Sequence, residues 1–186
     1  SFFPVGDTTV KCTSSVGPTC SFKVTVNDTE PPVITTKPPI ELWPPNHKYE
    51  PVSVTDLVAS VTDNCDTIGV PGVVISSVSS DEPQNSTGDG NTGSDVVIGS
   101  NCKSVQLRSE RKGDGNGRVY KITLTVIDAR GNVGTATNIV TVPHSQNGEP
   151  AIDDGPAYTV NGCEASITEI TDFFVRQQYR DFLGRE

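Results

Sequence analysis

Residues 119–142 read VYKITLTVIDARGNVGTATNIVTV and carry the strongest strand signals of the chain. Two runs of ten residues, VYKITLTVID and VGTATNIVTV, alternate apolar and polar side chains around the turn ARGN. Successive side chains of a strand point to opposite faces of its sheet, so an alternation with a period of two gives one apolar face. The stretch therefore predicts an antiparallel hairpin whose apolar face packs on a core.

Shorter strand signals surround this hairpin. The chain of 186 residues has no Met and contains 17 Gly and 14 Pro, a composition that favours strands and turns over long helices. Strands are predicted near residues 8–13, 20–26, 33–36, 41–43, 52–54, 73–78, 95–98, 104–111, 118–127 and 133–142. Seven or more short strands separated by turns predict an all-β, Ig-like β-sandwich.

The strand signals also divide the chain. Residues 1–30 contain two strands, which are too few to be stable alone, and are predicted to form an N-terminal β-hairpin extension. The prolines of NDTEPP stiffen the chain and predict a boundary before a sandwich at 31–143. Residues 144–170 have the composition of a linker. Residues 171–186 place aromatic side chains at helical spacing after Thr171 and Asp172, which predicts a short C-terminal helix.

Five cysteines, two histidines and no C-x-x-C motif indicate disulfides rather than a metal cage. Disulfides persist in an oxidising compartment, although five reduced thiols in the cytosol are the alternative. Cys12 and Cys20 flank a predicted turn and are expected to pair. Cys65 and Cys102 are the expected second pair, and Cys163 is left free or paired outside this chain.

Charge and motifs limit the classes of function. A net charge of −9 argues against nucleic acid or an anionic membrane surface as partner, because such surfaces need clustered Lys and Arg. No run of eighteen apolar residues predicts a membrane span. The sequence has no G-x-S-x-G, H-E-x-x-H or phosphate-binding glycine loop, so no enzymatic activity is predicted. A triad of His47 with Asp56 or Asp63 and a serine is one alternative, but a turn histidine that donates to the backbone is the simpler interpretation.

Residues 79–95, SSDEPQNSTGDGNTGSD, form an acidic loop without an apolar side chain. Ca²⁺ takes six to eight oxygen ligands, and glycines allow the backbone to turn carbonyls inward. The predicted calcium ligands are Asp81, Glu82, Asp89, Asn91 and Asp95. Their spacing differs from the EF-hand pattern, and a solvated loop held by Asx and Gly turns is the alternative.

A basic segment, RSERKGDGNGR at residues 108–118, follows the acidic loop. Its cations can form ion pairs across a hairpin, reach back to the acidic loop, or present a basic patch to an acidic glycan. The cations are Arg108, Arg111, Lys112 and Arg118, and they bracket Glu110 and Asp114.

Another polar group lies near predicted strand ends. It consists of Asp63, Asp66, Asp128 and Asn132. Asp and Asn in such places usually cap turns, and a second cation site is the alternative interpretation.

Three parts of the chain resemble known families. FPVGDTTVKCTSS and TCSFKVTVNDTEPP resemble the C-terminal half of a hyalin repeat, with the usual turn shortened to SSVGP. Residues 33–143, including LWPPNHKY, VTDNCD and VTVPHSQ, resemble a bacterial Ig-like module found beside hyalin repeats in large secreted proteins. FFVRQQYRDFLGRE is similar to the start of a bacterial helical domain of unknown function.

These resemblances imply a piece of a long, modular surface or secreted bacterial protein. The expected function is that of an extracellular structural or adhesive module, stabilised by calcium, whose partners are neighbouring copies or domains or an extracellular matrix or glycan. A self-assembling filament subunit is one alternative, because the hairpin of residues 1–30 leaves strand edges unpaired. A carbohydrate-binding module is another alternative, with Trp43 and Tyr49 as its aromatic pair, although Trp43 is expected to pack in the core or at its edge.

Overall fold

The computed structural model describes residues 3–85, 87–146 and 148–166. These residues form an all-β fold, as predicted, with one four-residue helix, α1 (Val54–Leu57), and one 3₁₀ turn at Val70–Gly72. The strands are β1 (Gly6–Cys12), β2 (Cys20–Val26), β3 (Val33–Thr36), β4 (Ile40–Glu41), β5 (Tyr49–Ser53), β6 (Val58–Thr62), β7 (Val74–Ser80), β8 (Val96–Ile98), β9 (Ser104–Arg108), β10 (Arg118–Ile127), β11 (Val133–Val142) and β12 (Tyr158–Asn161). The helix predicted for residues 171–186 lies outside the described residues. Within the described parts, no helix has the length and apolar character needed to cross a membrane.

The long hairpin forms as predicted. β10 and β11 pair without interruption from Arg118 opposite Val142 to Ile127 opposite Val133. On β10, Ile122, Leu124 and Val126 are fully buried, whereas the residues between them are partly exposed. The alternation read from residues 119–142 thus places one face of this hairpin in the core.

The strands form a sandwich-like arrangement. A five-stranded sheet runs in the order β12-β7-β10-β11-β4, and its core is shared with a three-stranded sheet, β5-β9-β8, and a pair, β3-β6. Apolar side chains from all three sheets belong to one buried cluster, in which Val105 of β9 and Leu124 of β10 are fully enclosed. The strands β1 and β2 form a separate two-stranded sheet, as predicted for the N-terminal extension.

The sandwich extends past the predicted boundary at Pro143. β12 pairs antiparallel with β7, from Tyr158 opposite Ser80 to Asn161 opposite Ser77, and forms one edge of the large sheet. The prediction that all of residues 144–170 form a linker is therefore wrong. A four-residue strand carries too little alternation to be distinguished from a loop, and only its pairing with β7 reveals it.

One of the two predicted disulfides is confirmed and the other is wrong. Cys12 pairs with Cys20 across the β1–β2 hairpin. Cys102 pairs with Cys163, at a Cα–Cα distance of 5.8 Å, and Cys65 is exposed and unpaired. The reason is the position of β12, because the Ile75 amide donates to the Cys102 carbonyl (2.8 Å) and the Ile75 carbonyl accepts from the Cys163 amide (3.2 Å). Both cysteines thus flank one residue of β7.

Candidate functional site

The acidic loop connects β7 to β8 and closes over a buried arginine. Arg118, the first residue of β10, is completely buried. Its Nη1 donates to an oxygen of Asp95, its Nε donates to Oε2 of Glu82 (3.2 Å), and its Nη2 donates to the Pro83 carbonyl (3.1 Å). One guanidinium therefore binds both ends of the acidic loop.

A second guanidinium lies on the other side of Asp95. The Nε of Arg108 is 3.5 Å from Oδ1 of Asp95 and 3.8 Å from Oε2 of Glu110. Arg108 also donates to the carbonyls of His47 (2.8 Å) and Gly93 (3.1 Å). Asp95, which is fully buried, is consequently held between two cations supplied by the basic segment.

Glu110 completes this buried network. It is fully buried, it accepts a hydrogen bond from the Thr92 hydroxyl, and its Oε2 lies 3.2 Å from Nδ1 of His47. Burial raises the pKa of the Glu110 carboxyl, and the nearby carboxylate of Asp95 raises it further, although the Thr92 hydrogen bond opposes both. Glu110 thus binds the acidic loop through Thr92.

The five predicted calcium ligands do not converge on one point. Glu82 and Asp95 face Arg118, whereas Oδ1 of Asp81 accepts from the Val119 amide (2.8 Å). Oδ1 of Asp89 accepts from the Asn91 amide (3.2 Å) within a local turn. Calcium binding by these five residues stays a prediction, and the cations that lie beside Glu82 and Asp95 are guanidinium groups.

The remaining cations of the basic segment also have partners. Arg111 donates to the carbonyl of His144 (2.9 Å), and Nζ of Lys112 is 3.4 Å from Asp114. Arg108 and Arg118 lie within the fold, whereas the side chain of Lys112 is 41% exposed. Of the arrangements open to this segment, the contact with the acidic loop is made by Arg108 and Arg118.

An open groove lies beside the base of the acidic loop. It is lined by Asp81 and Glu82 together with Asp114 and Asp154. Burial raises the pKa of the Asp81 carboxyl, and the charge of Glu82 adds to this effect. The contribution of Asp154 was not predicted, because its segment was interpreted as a linker.

A second acidic group lies where the N-terminal hairpin meets the sandwich. Asp28 follows β2, Asp63 follows β6 and Asp128 follows β10, and one carboxylate oxygen from each lies within 4.8 Å of the others. We call these three residues the junction carboxylates. Among the described residues they are the only group of three His, Cys, Asp or Glu side chains that converge in this way.

The sequence had placed Asp63 and Asp128 in this region but not Asp28. Asp28 is part of NDTEPP, which was interpreted only as a boundary. Two other residues named from the sequence, Asp66 and Asn132, form hydrogen bonds with backbone groups beside the junction carboxylates. Asp66 accepts from the Ala129 amide (3.0 Å), and Nδ2 of Asn132 donates to the Asp28 carbonyl (3.3 Å).

The junction carboxylates organise the turns that carry them. Oδ1 of Asp128 accepts from the amides of Arg130 and Asn132, both at 2.8 Å, and Oδ2 accepts from Nδ2 of Asn132 (2.7 Å). Burial alone would raise the pKa of Asp128, but these donors outweigh it and hold that pKa below its usual value. Asp128 is therefore a charged, buried residue.

The free thiol of Cys65 lies beside this group. Desolvation raises its pKa, and the carboxylates of Asp28, Asp63 and Asp66 raise it further. A thiol whose pKa is raised has little thiolate at neutral pH, so Cys65 is a weak nucleophile despite its exposure.

The two aromatic residues predicted for a carbohydrate site lie at the surface. Trp43 is 39% exposed and Tyr49 is 36% exposed. The ring of Tyr49 is covered by the Arg108 guanidinium, 4.1 Å from the ring centroid, and its hydroxyl donates to the Ser94 carbonyl. Tyr49 thus helps to hold the acidic loop, and a carbohydrate-binding function stays a prediction.

No protein-family model, no curated protein and no solved structure matches this chain.

Proposed function

We propose that this chain is an extracellular structural and adhesive module of a bacterial surface or secreted protein, which spaces or links larger assemblies. The connection between the N-terminal hairpin and the sandwich carries the proposal. Asn132 donates to the Asp28 carbonyl (3.3 Å), and Asn64 donates to the Glu30 carboxylate. Turns of the sandwich thus hydrogen-bond to the segment that follows β2. A connection of this kind would fix the orientation of neighbouring modules and transmit force between them.

The disulfides support the same function. Two disulfides fit a protein outside the cytoplasm. The larger one links the turn before β9, a strand of the three-stranded sheet, to the segment that follows β12, the edge strand of the five-stranded sheet. The partners that suit such a module are neighbouring copies or domains of the same protein, or an extracellular matrix or glycan.

Pulling the chain from its two ends tests this proposal. We expect one discrete unfolding event, with the 61-residue separation between Cys102 and Cys163 kept closed. The oxidised chain should then extend by roughly 200 Å less than a Cys102→Ser, Cys163→Ser variant, given about 3.3–3.6 Å per extended residue. The measurement is single-molecule force spectroscopy in the presence of a chelator. Gradual extension without a discrete event would overturn the structural function.

A filament subunit is the second candidate. In the described part of the chain, β1 and β2 pair only with each other, so each has one edge without a partner strand. Phe22 on β2 is 54% exposed. Strand edges with exposed apolar side chains can pair with another copy, and the N-terminal hairpin offers two such edges.

Electron microscopy of the concentrated chain tests the filament. If the hairpin joins copies, the wild type forms fibres, and a charge introduced by Phe22→Lys abolishes them. Val16→Lys is the matched control, because Val16 is 94% exposed in the loop between β1 and β2 and lies in neither strand. A wild type that stays a monodisperse monomer, or fibres that persist in Phe22→Lys, would contradict this candidate.

A further inference from the structure

The acidic loop and the junction carboxylates differ in whether a Lys or Arg side chain neutralises their negative charge. In the acidic loop, Glu82 and Asp95 form ion pairs with Arg118. In the described parts of the chain, no Lys or Arg forms an ion pair with a junction carboxylate. The junction therefore gathers three carboxylates without an internal cation.

The oxygens at the junction show a second feature. Asp28 is 8% exposed, and its Oδ1 accepts from the Glu30 amide (3.1 Å). Its Oδ2 is buried without a partner at hydrogen-bond distance, although the Cys65 thiol interacts with the Asp28 carboxylate. Oδ1 of Asp63 accepts from the amides of Cys65 (2.9 Å) and Asp66 (2.7 Å), and its Oδ2 is also buried without a partner.

Buried polar atoms are rarely left unpaired. Asp81, Asp95 and Glu110 also have one such oxygen each, but only at the junction, among the described residues, do the unpaired oxygens belong to a group of three carboxylates that converge without a Lys or Arg. This combination indicates a missing ligand.

We infer that the junction carboxylates Asp28, Asp63 and Asp128 bind a Ca²⁺ ion that joins the N-terminal hairpin to the sandwich. Ligand oxygens around Ca²⁺ lie 2.3–2.6 Å from the ion, so two of them are at most about 5 Å apart. The separations within 4.8 Å satisfy this limit. Backbone carbonyls and water would complete the six to eight oxygens that Ca²⁺ takes, and its flexible coordination suits three separate turns better than the strict octahedron of Mg²⁺.

The three ligands come from different parts of the chain, and this determines what the ion would do. Asp28 belongs to the segment that leaves the hairpin, whereas Asp63 and Asp128 follow two strands of the sandwich. An ion shared by all three would hold this segment against the sandwich. The stiffening role rests on the proposed structural function, but ion binding itself does not.

Calcium titration of the chelator-treated chain by calorimetry tests the inference. We expect one site with a Kd of about 10⁻⁴ to 10⁻³ M or tighter, as in extracellular modules. Asp28→Asn and Asp63→Asn remove charge but keep an oxygen for the turn amides, and each should weaken binding more than about tenfold. Asp81→Asn is the matched control, because Asp81 also has a buried, unpartnered oxygen but lies in the groove beside the acidic loop.

Hydrogen exchange of the wild type supplies a readout that needs no variant. Calcium should slow exchange in peptides containing residues 27–30, 63–66 and 128–132, and should leave residues 79–95 unchanged. A wild type without a calcium site at millimolar concentrations would overturn the inference. Binding that is lost in Asp81→Asn but kept in Asp28→Asn and Asp63→Asn would also overturn it. The force experiment is done in chelator, so a failed titration leaves the structural function standing.

Discussion

Replacing Arg118 with methionine is expected to lower the free energy of unfolding by about 3–5 kcal/mol, the range seen when one partner of a buried ion pair is removed. Arg118 is fully buried and donates to Glu82, Asp95 and the Pro83 carbonyl. Methionine fills much of the same volume but leaves Glu82 without its cation and Asp95 with Arg108 alone. The measurement is urea unfolding followed by circular dichroism.

Two further variants separate charge from packing. The triple variant Arg118→Met, Asp95→Asn, Glu82→Gln removes both carboxylates as well, so it should recover most of the lost stability. Lys11→Met is the matched surface control, because Lys11 is exposed on β1, and its effect should stay within about 0.5 kcal/mol. A triple variant as unstable as Arg118→Met would show that the methionine fits poorly, and that uncompensated charge is not the cause.

The role of Arg118 also shows what composition cannot reveal. The sequence displays the carboxylates of the acidic loop, and the need for a cation follows from their charge. The nature of that cation does not follow, because Arg118 is separated from Asp95 by 23 positions and from Glu82 by 36. The pairing of β10 with β7 brings Arg118 near Glu82, whereas Asp95 is the residue before β8, a strand of the three-stranded sheet.

The same limit applies to the junction carboxylates. Asp128 could be named because it follows a strand that alternation predicts, whereas β6, the strand that Asp63 follows, was not among the predicted strands. Asp28 could not be grouped with them, since a proline-rich boundary gives no indication of what it packs against. Long alternating strands such as β10 and β11 are predictable from local pattern, whereas convergence of distant turns depends on topology.

Cysteine pairing is a third instance. Five cysteines allow many pairings, and spacing alone favoured Cys65 for Cys102. The edge strand β12 decides the matter by bringing Cys163 beside β7. β12 has only four residues, which is too short for an alternating pattern to be recognised. The sequence therefore does not show that Cys163 lies beside the sheet.

Removing the Cys102–Cys163 disulfide is expected to destabilise the sandwich by about 4 kcal/mol. A bond that closes a loop of this length restricts the unfolded chain strongly, and the separation is 61 residues. The variant is Cys102→Ser with Cys163→Ser, measured by urea unfolding. In hydrogen exchange, the amides of β12 should lose protection first, because this strand has one hydrogen-bonded neighbour and is anchored beyond its end by the disulfide.

The smaller disulfide and the free thiol supply the controls. Cys12→Ser with Cys20→Ser opens a separation of only eight residues, so its cost should be about 2–3 kcal/mol and confined to the β1–β2 hairpin. Cys65→Ser should leave the unfolding midpoint unchanged, because Cys65 is exposed and forms no disulfide. If Cys65→Ser destabilised the sandwich as much as the Cys102–Cys163 double variant, the pairing of Cys102 with Cys163 would be refuted. If Cys65→Ser is neutral while the Cys102–Cys163 double variant loses protection in β12, the position of this four-residue edge strand depends on the covalent bond.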